Sequence, residues 1–243
     1  MGTNAEKRFY RRVFNGGDLV YFTKKVEQTD LCIGATTNLS QQAEASIVKY
    51  RQQVEEYIRK QPVFLNSLKP VKPLDDAPLI VKHMCQASEL TGVGPMAAIA
   101  GAISLYVAND LKKYSKELIV ENGGDIYISG TKERIIGVYA GDSRLSGKIG
   151  IKLGPKQLPM SICTSSGTVG HSLSFGKADA VVTLSTDACL ADAAATAIGN
   201  MVKSSRDIDL SLKKAQNIEG VAGVVIIIED KLGVWGKVEL VRL

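Results

Sequence analysis

The order of the predicted elements indicates an α+β fold with a largely antiparallel sheet. Strand-like segments come first, then helical patterns, then several short strands, one Ala-rich helix and closing strands. The regular alternation of strand and helix that is typical of parallel sheets is absent. With 45% hydrophobic and 23% charged residues, the chain has the composition of a globular protein with a substantial core.

The N-terminal third predicts two strands followed by two helices. Segments 8–22, which includes the Gly16-Gly17 turn, and 31–35 have strand composition. Ser40 is a candidate N-cap for a helix over 41–60, where apolar residues recur every three or four positions. A second helix is predicted over 79–90.

A third helix is predicted to begin at Gly94-Pro95, because proline at the first turn costs no backbone hydrogen bond. Its continuation, 96–111, is apolar on nearly every face and rich in Ala and Gly. A helix of this composition is buried, and its small residues allow another element to pack closely.

The remainder of the chain predicts short strands around one Ala-rich helix capped by Asp187. The predicted strands are 118–120, 126–129, 135–139, 149–153, 160–163 and 180–184. Strands 224–228 and 234–241 are predicted to close the fold as a hairpin.

Composition excludes several classes of partner and location. The net charge of +5 is mild and aromatic residues are only 6% of the chain, so no nucleic-acid partner is expected. No apolar run reaches the roughly 20 residues needed to cross a bilayer, and the N-terminus lacks a basic-then-apolar leader pattern, so no membrane association and a cytoplasmic location are expected. The four scattered cysteines lack metal-ligand spacing and are expected to be small buried residues in a reducing compartment.

The segment Asn122-Gly123-Gly124-Asp125 places two glycines between apolar strand halves. Glycine inside a strand marks either a bulge or turn, or a close approach of the backbone to a ligand. Both interpretations are open at this point.

The loop after residue 163 is rich in small and hydroxyl residues. Ser165, Ser166, Gly167, Thr168 and Gly170 could hold an anion through amides and hydroxyls, although a polar surface loop has the same composition. His171, next in the chain, is the candidate for proton transfer. A serine-hydrolase triad is disfavoured, since the Gly-x-Ser-x-Gly elbow is missing.

Asp192 and Thr196 lie one turn apart on the Ala-rich helix. A carboxylate, a hydroxyl and a nearby backbone carbonyl would form part of the oxygen shell that Mg²⁺ prefers. The alternative is an exposed Asp and a Thr that bonds back to its own helix.

Four segments together resemble a known group of proteins. They are Gly92 to Ala102, Glu121 to Tyr127, Thr164 to Ala180 and Ala191 to Ala197, in this order. The chain resembles an uncharacterised prokaryotic family of the ApbE-like superfamily, which is typified by FAD:protein FMN transferases. The resemblance implies a single ApbE-like domain over residues 1–243, built from two T-fold-like halves with antiparallel sheets and packed helices. The halves would meet between about residues 115 and 145.

The resemblance also implies a set of site residues. Mg²⁺ would be held by Asp192, Thr196 and the carbonyl of Ala195, with a further carbonyl near Ala97 or Ala98. Gly123, Gly124 and Asp125, together with Ser166 and Gly167, would match the flavin-binding segments, for FAD or FMN as the cofactor. A protein with an acceptor Ser or Thr would be the partner in transfer.

One departure from the transferases leaves two functions open. The transferases carry His-x-x-Asp-Pro-x-Thr-Gly, whereas His171 is followed here by Ser-Leu-Ser-Phe-Gly. One hypothesis is a Mg²⁺-dependent flavin- or nucleotide-binding protein, acting as a transferase or on a phosphoester or pyrophosphate. The other is a non-catalytic T-fold module for a purine- or pterin-like ligand, and a homo-oligomer is a further expectation.

Overall fold

One large antiparallel sheet organises the molecule. A computed structural model describes residues 17–167 and 175–243, and within these ranges eight strands form this sheet. In sheet order they are β1 (Val20–Val26), β2 (Thr29–Ala35), β3 (Leu118–Asn122), β4 (Asp125–Ser129), β7 (Met160–Ser165), β8 (Ala180–Ser185), β9 (Val221–Ile228) and β10 (Lys231–Gly236). Every neighbouring pair is antiparallel, as the sequence predicts.

A smaller sheet covers one face of the large sheet. In the described ranges it has three strands, in the order β11 (Glu239–Arg242), β6 (Ile149–Leu153) and β5 (Arg134–Gly137). Ile151 and Leu153 are fully buried with Ile162 and Val182 of the large sheet. The two sheets therefore share one apolar layer.

Helices cover the opposite face of the large sheet. They are α1 (Ser40–Lys60), α2 (Val63–Asn66), α3 (Leu79–Thr91), α4 (Ile99–Leu111), α5 (Ala188–Gly199) and α6 (Ile208–Gln216). Helix α5 packs on β7 and β8 and also against α3 and α4, which places it at the centre of the helical layer.

The element order repeats across the middle of the large sheet. Strands β1 and β2, helices α1 to α4, and strands β3 and β4 come first; β7 and β8, α5 and α6, and β9 and β10 follow. The two sets join where β4 pairs with β7, for example at Ile126 and Ile162. That these are T-fold-like halves stays a prediction.

The apolar run 221–228 follows from this three-layer arrangement. On β9, Val224 and Ile226 face the α5 and α6 layer, whereas Val225 and Ile227 belong to the apolar layer shared with the small sheet. A strand buried on both faces has no polar alternation.

Two predicted boundaries are wrong. The cap of α1 is Leu39 rather than Ser40, because Asn38 Oδ1 accepts bonds from the Ser40 amide at 3.0 Å and hydroxyl at 2.7 Å. The predicted strand 234–241 divides between the two sheets, because the chain turns at Gly236, whose φ of 88° suits glycine.

The third predicted helix also begins differently. Residues Pro95–Ala98 form a 3₁₀ turn, and the α-helix starts at Ile99. The helix is buried as predicted.

In the described ranges, no single helix has the length and apolar character to cross a membrane. Helix α3 and the segment Pro95–Leu111 pass that test only as a pair, and they bend by 107° at the break between them.

Gly101 is a point of close approach between α4 and α5. A Cβ atom at this position would lie 2.2 Å from the Ala188 carbonyl oxygen and 2.9 Å from Asp192 Cβ. Because both atoms belong to a buried helix, neither can move aside without shifting α5.

We therefore expect Gly101→Ala to lower the free energy of unfolding by about 2 kcal/mol or more, as overpacking of a core does. Urea denaturation followed by circular dichroism measures the loss. The control is Gly154→Ala, since that Cβ would meet only Gln157 Oε1 at 3.7 Å. Equal stabilities of the two variants would contradict the close approach.

Candidate functional site

Two buried carboxylates meet where β4, β7, α4 and α5 converge. Asp125 is the first residue of β4 and Asp192 lies in the second turn of α5; they are 7% and 9% exposed. The negative charge of Asp192 acts on Asp125, and no basic side chain in residues 17–167 and 175–243 forms an ion pair with either. We call these two residues the acid pair.

Asp192 is held against the start of α4. Its Oδ2 accepts the Gly101 amide at 2.8 Å, and the Ala100 amide also donates to this carboxylate. Free amides at a helix N-terminus favour a negative charge. Burial nevertheless dominates and raises the pKa of Asp192 to about 7. The alternative of an exposed Asp is thereby excluded.

Asp125 is held by β7. Its Oδ1 accepts the Thr164 amide at 3.3 Å, and the Cys163 thiol is a further hydrogen-bond partner. Burial, together with the negative charge of Asp192, raises the pKa of Asp125 well above its usual range. Two adjacent buried carboxylates cannot both ionise unless a cation joins them, so without one the pair retains a proton.

The glycine segment next to the acid pair is a tight turn. Asn122 pairs with Asp125 across a two-residue hairpin, with φ of 69° at Gly123 and 108° at Gly124. These positive φ values favour glycine at both positions, as a tight hairpin turn requires. The Asn122 amide donates to the Ala100 carbonyl oxygen at 3.3 Å, so the hairpin is fixed to the start of α4.

A second group of small residues lies at the other end of α5. Gly167 donates its amide to the Ala178 carbonyl at 2.9 Å, and a Cβ on Gly167 would lie 2.3 Å from the Gly176 carbonyl oxygen. A Cβ on Gly176 would lie 1.9 Å from the Gly199 carbonyl oxygen. We call these three residues the glycine stack. It brings the segments before residue 168 and after residue 174 onto the end of α5.

Ser165 and Ser166 precede this stack. Ser165 ends β7, is 8% exposed, and faces Gly199, where an added Cβ would lie 3.4 Å from its Oγ. Ser166 is half-buried. Thr168, Gly170 and His171 lie outside the described residues, so their predicted roles stay predictions.

Helix α5 links the two groups. Thr196 is half-buried one turn after Asp192, and Ala195 beside it is 1% exposed. At the end of the helix, Asn200 Oδ1 accepts the Phe175 amide at 2.9 Å. The predicted metal and nucleotide residues that the structure describes therefore lie along one helix and the strand ends beside it.

Sequence reasoning missed three contributors to the acid pair: the Gly101 amide, the Ala100 amide and the Cys163 thiol. It assigned Asp125 and Asp192 to separate functions and did not pair them. The available signal was the small-residue character of segment 96–111, which predicts a close neighbour but does not identify it.

Comparison with known sequences shows similarity to an uncharacterised family. Residues 11–226 match the model of the family described as AbpE bacteria. The UPF0280 protein of Methanocaldococcus jannaschii is 45% identical over 206 residues, covering 82% of this chain and 84% of that protein. A UPF0280 protein of Methanococcus vannielii is 46% identical over 201 residues, covering 81% of each chain.

Solved structures show the same fold at low sequence identity. The ApbE protein of Thermotoga maritima has a TM-score of 0.63 at 14% identity, covering 88% of this chain and 96% of that one. The apo flavinyl transferase ApbE of Pseudomonas stutzeri has a TM-score of 0.56 at 11% identity, covering 89% and 93%. The fold is therefore ApbE-like, as the sequence resemblance implies.

The acid pair predicts a stability that falls with rising pH in the absence of divalent cations. The pKa of Asp192 is raised to about 7 in the folded chain. Between the ordinary carboxyl pKa of about 4 and this value, the folded state therefore binds more protons than the unfolded state. Stability is fully retained below this range and lost as pH rises through it, by at most about 4 kcal/mol.

The measurement is urea denaturation in EDTA across this pH range. Asp192→Asn keeps an oxygen for the Gly101 amide but has no charge, so its profile should be flatter than that of the wild type. Asp230→Asn, at an exposed turn, should keep the wild-type profile. Identical profiles for the wild type and Asp192→Asn would refute the raised pKa.

Proposed function

Because the chain belongs to the AbpE bacteria family, we propose that it binds a flavin nucleotide with Mg²⁺ at the acid pair and the adjoining half of α5. The observation that carries the proposal is the pair of buried carboxylates, for which the described residues supply no basic partner. The name of the Pseudomonas stutzeri neighbour, a flavinyl transferase, supports the choice of ligand.

The residues present fit a hard cation. Asp192, Thr196 and the carbonyl of Ala195 offer oxygen ligands only, and Asp125 adds a second negative charge beside them. Oxygen ligands and incomplete protein shells are typical of Mg²⁺, which keeps waters or phosphate oxygens in its other positions. When bound, the ion would supply neutralisation of phosphate charge.

The chain's own residues have separate tasks in this proposal. Gly123 and Gly124 present a backbone without side chains next to the acid pair, and Ser165 to Gly167 present small residues at the end of β7. Such segments allow close approach of a bulky nucleotide. His171 is proposed as the group that moves a proton.

The acid pair makes metal binding a proton-releasing event. The proton that the pair holds must leave before both carboxylates carry charge, so Mg²⁺ affinity should increase with pH through the same range that destabilises the metal-free chain. The pH dependence of Mg²⁺ affinity and the pH dependence of the metal-free chain's stability thus report the same ionisation of the acid pair.

Calorimetric titration of FAD into the protein, with Mg²⁺ or with EDTA, tests the proposal. Binding should require Mg²⁺ and should weaken by at least about tenfold in Asp192→Asn, because a carboxylate ligand is lost. Asp230→Asn is the matched control and should bind as the wild type does. Equal binding in EDTA, or in Asp192→Asn, would refute the metal assignment.

Incubation with FAD, Mg²⁺ and a Ser- or Thr-containing acceptor protein separates the two hypotheses from the sequence. An FMN-sized mass increase on the acceptor, or release of FMN, identifies an enzyme. Mg²⁺-dependent binding of FAD without either product identifies the binding module.

A further inference from the structure

A second cluster of ligating side chains lies at the N-terminus of α5, and we call it the His–Asp–Cys cluster. It consists of His83 on α3, Asp187 at the cap of α5, and Cys189 in the first turn of α5. His83 Nε2 and Asp187 Oδ2 are 2.8 Å apart. One potential ligand atom from each residue lies within 4.8 Å of the other two.

The side chains of Asp187 and His83 are oriented by their surroundings. Asp187 Oδ1 accepts the Cys189 amide at 2.9 Å and the Leu190 amide at 3.3 Å, which leaves Oδ2 turned toward His83. The His83 ring meets the ring of Tyr106 edge-on, with centroids 6.0 Å apart. Such fixed orientation is typical of a preformed ligand site.

Cys189 supplies the soft ligand atom of the cluster. Its side chain is fully buried. Its sulfur lies within 4.8 Å of an imidazole nitrogen of His83 and a carboxylate oxygen of Asp187. A thiol at this distance from two other ligating atoms can complete part of a metal shell.

The ligand types and spacing fit zinc. Zn²⁺ binds imidazole nitrogen, thiolate sulfur and carboxylate oxygen in tetrahedral geometry, which separates ligand atoms by about 3.3 to 3.6 Å. The distances between the potential ligand atoms run from 2.8 Å to at most 4.8 Å, a range that includes the tetrahedral separation. Small side-chain rotations would therefore bring the three atoms to the distances that Zn²⁺ requires. His83 and Asp187 are 27% and 34% exposed, which leaves the cluster open to solvent on one side.

We propose that His83, Asp187 and Cys189 form a Zn²⁺ site with its fourth position open to water. On binding, the Cys189 thiol loses its proton to solvent and the sulfur–metal bond forms; no electron transfer is involved. The nitrogen and sulfur ligands of this cluster favour Zn²⁺. The acid pair offers carboxylate oxygens, which favour a hard cation such as Mg²⁺.

The test uses the purified full chain, freed of metal by a chelator and kept free of nucleotide. One equivalent of Zn²⁺ should remain bound after equilibrium dialysis. Replacement by Co²⁺ should give the near-ultraviolet charge-transfer band of a thiolate–cobalt bond and the visible bands of a four-coordinate ion.

Variants assign the ligands. Cys189→Ser should lose the charge-transfer band, and His83→Gln should weaken Zn²⁺ binding at least tenfold without loss of fold. Cys85→Ser is the matched control, because it replaces a buried cysteine outside the cluster and should retain the band. Failure of wild-type protein to retain Zn²⁺, or a band that persists in Cys189→Ser, would overturn the site.

This experiment is independent of the flavin proposal. Asp192→Asn should retain Zn²⁺ and the cobalt band, since its carboxylate is not part of the cluster. A protein that binds Zn²⁺ but no FAD would refute only the proposed function, and the reverse result would refute only the zinc site.

Discussion

The contact on which this architecture depends is the carboxylate of Asp192 against the first amides of α4. It buries a carboxyl group between two central helices, and Gly101 permits the approach because a side chain there would collide with α5. The start of α4 then fixes the hairpin at Gly123 and Gly124 through Asn122. Asp192 therefore lies at the point where the helices, the hairpin and the strand ends meet. Its burial makes ionisation of the carboxyl group unfavourable, which raises its pKa.

Helix α5 carries both candidate ion sites, and their chemistry differs because of what each turn faces. The first turn faces α3, where His83 supplies nitrogen and Cys189 supplies sulfur. The second turn faces the start of α4 and the beginning of β4, where Asp125 supplies a second carboxylate beside Asp192. Small residues elsewhere on the helix allow neighbours close enough on several sides for this division to exist.

Short-range sequence patterns predicted the helices and strands well, but they did not predict which side chains meet in the folded chain. The Asp192 and Thr196 spacing, the Gly123-Gly124 segment and the antiparallel sheet all followed from short-range signals. The pairing of Asp125 with Asp192 did not, because it depends on the register between β4 and β7 and on how α5 packs. His83 carried no signal either, since a single histidine in a helix is usually structural. Ser40 failed as a cap because Asn38, two residues earlier, takes the local hydrogen bonds.

The position of β11 constrains how the chain can fold during synthesis. Strand β11 pairs with β6, although almost ninety residues separate them in the chain, and together with β5 they cover the outer apolar face of β8 and β9. Strand β8 ends at residue 185, well before β11 begins at residue 239, whereas β9 ends at residue 228, close to β11 in the chain. The apolar face of β8 therefore waits longest for its complete cover, and a chain that lacks a docked β11 leaves part of that face open to aggregation.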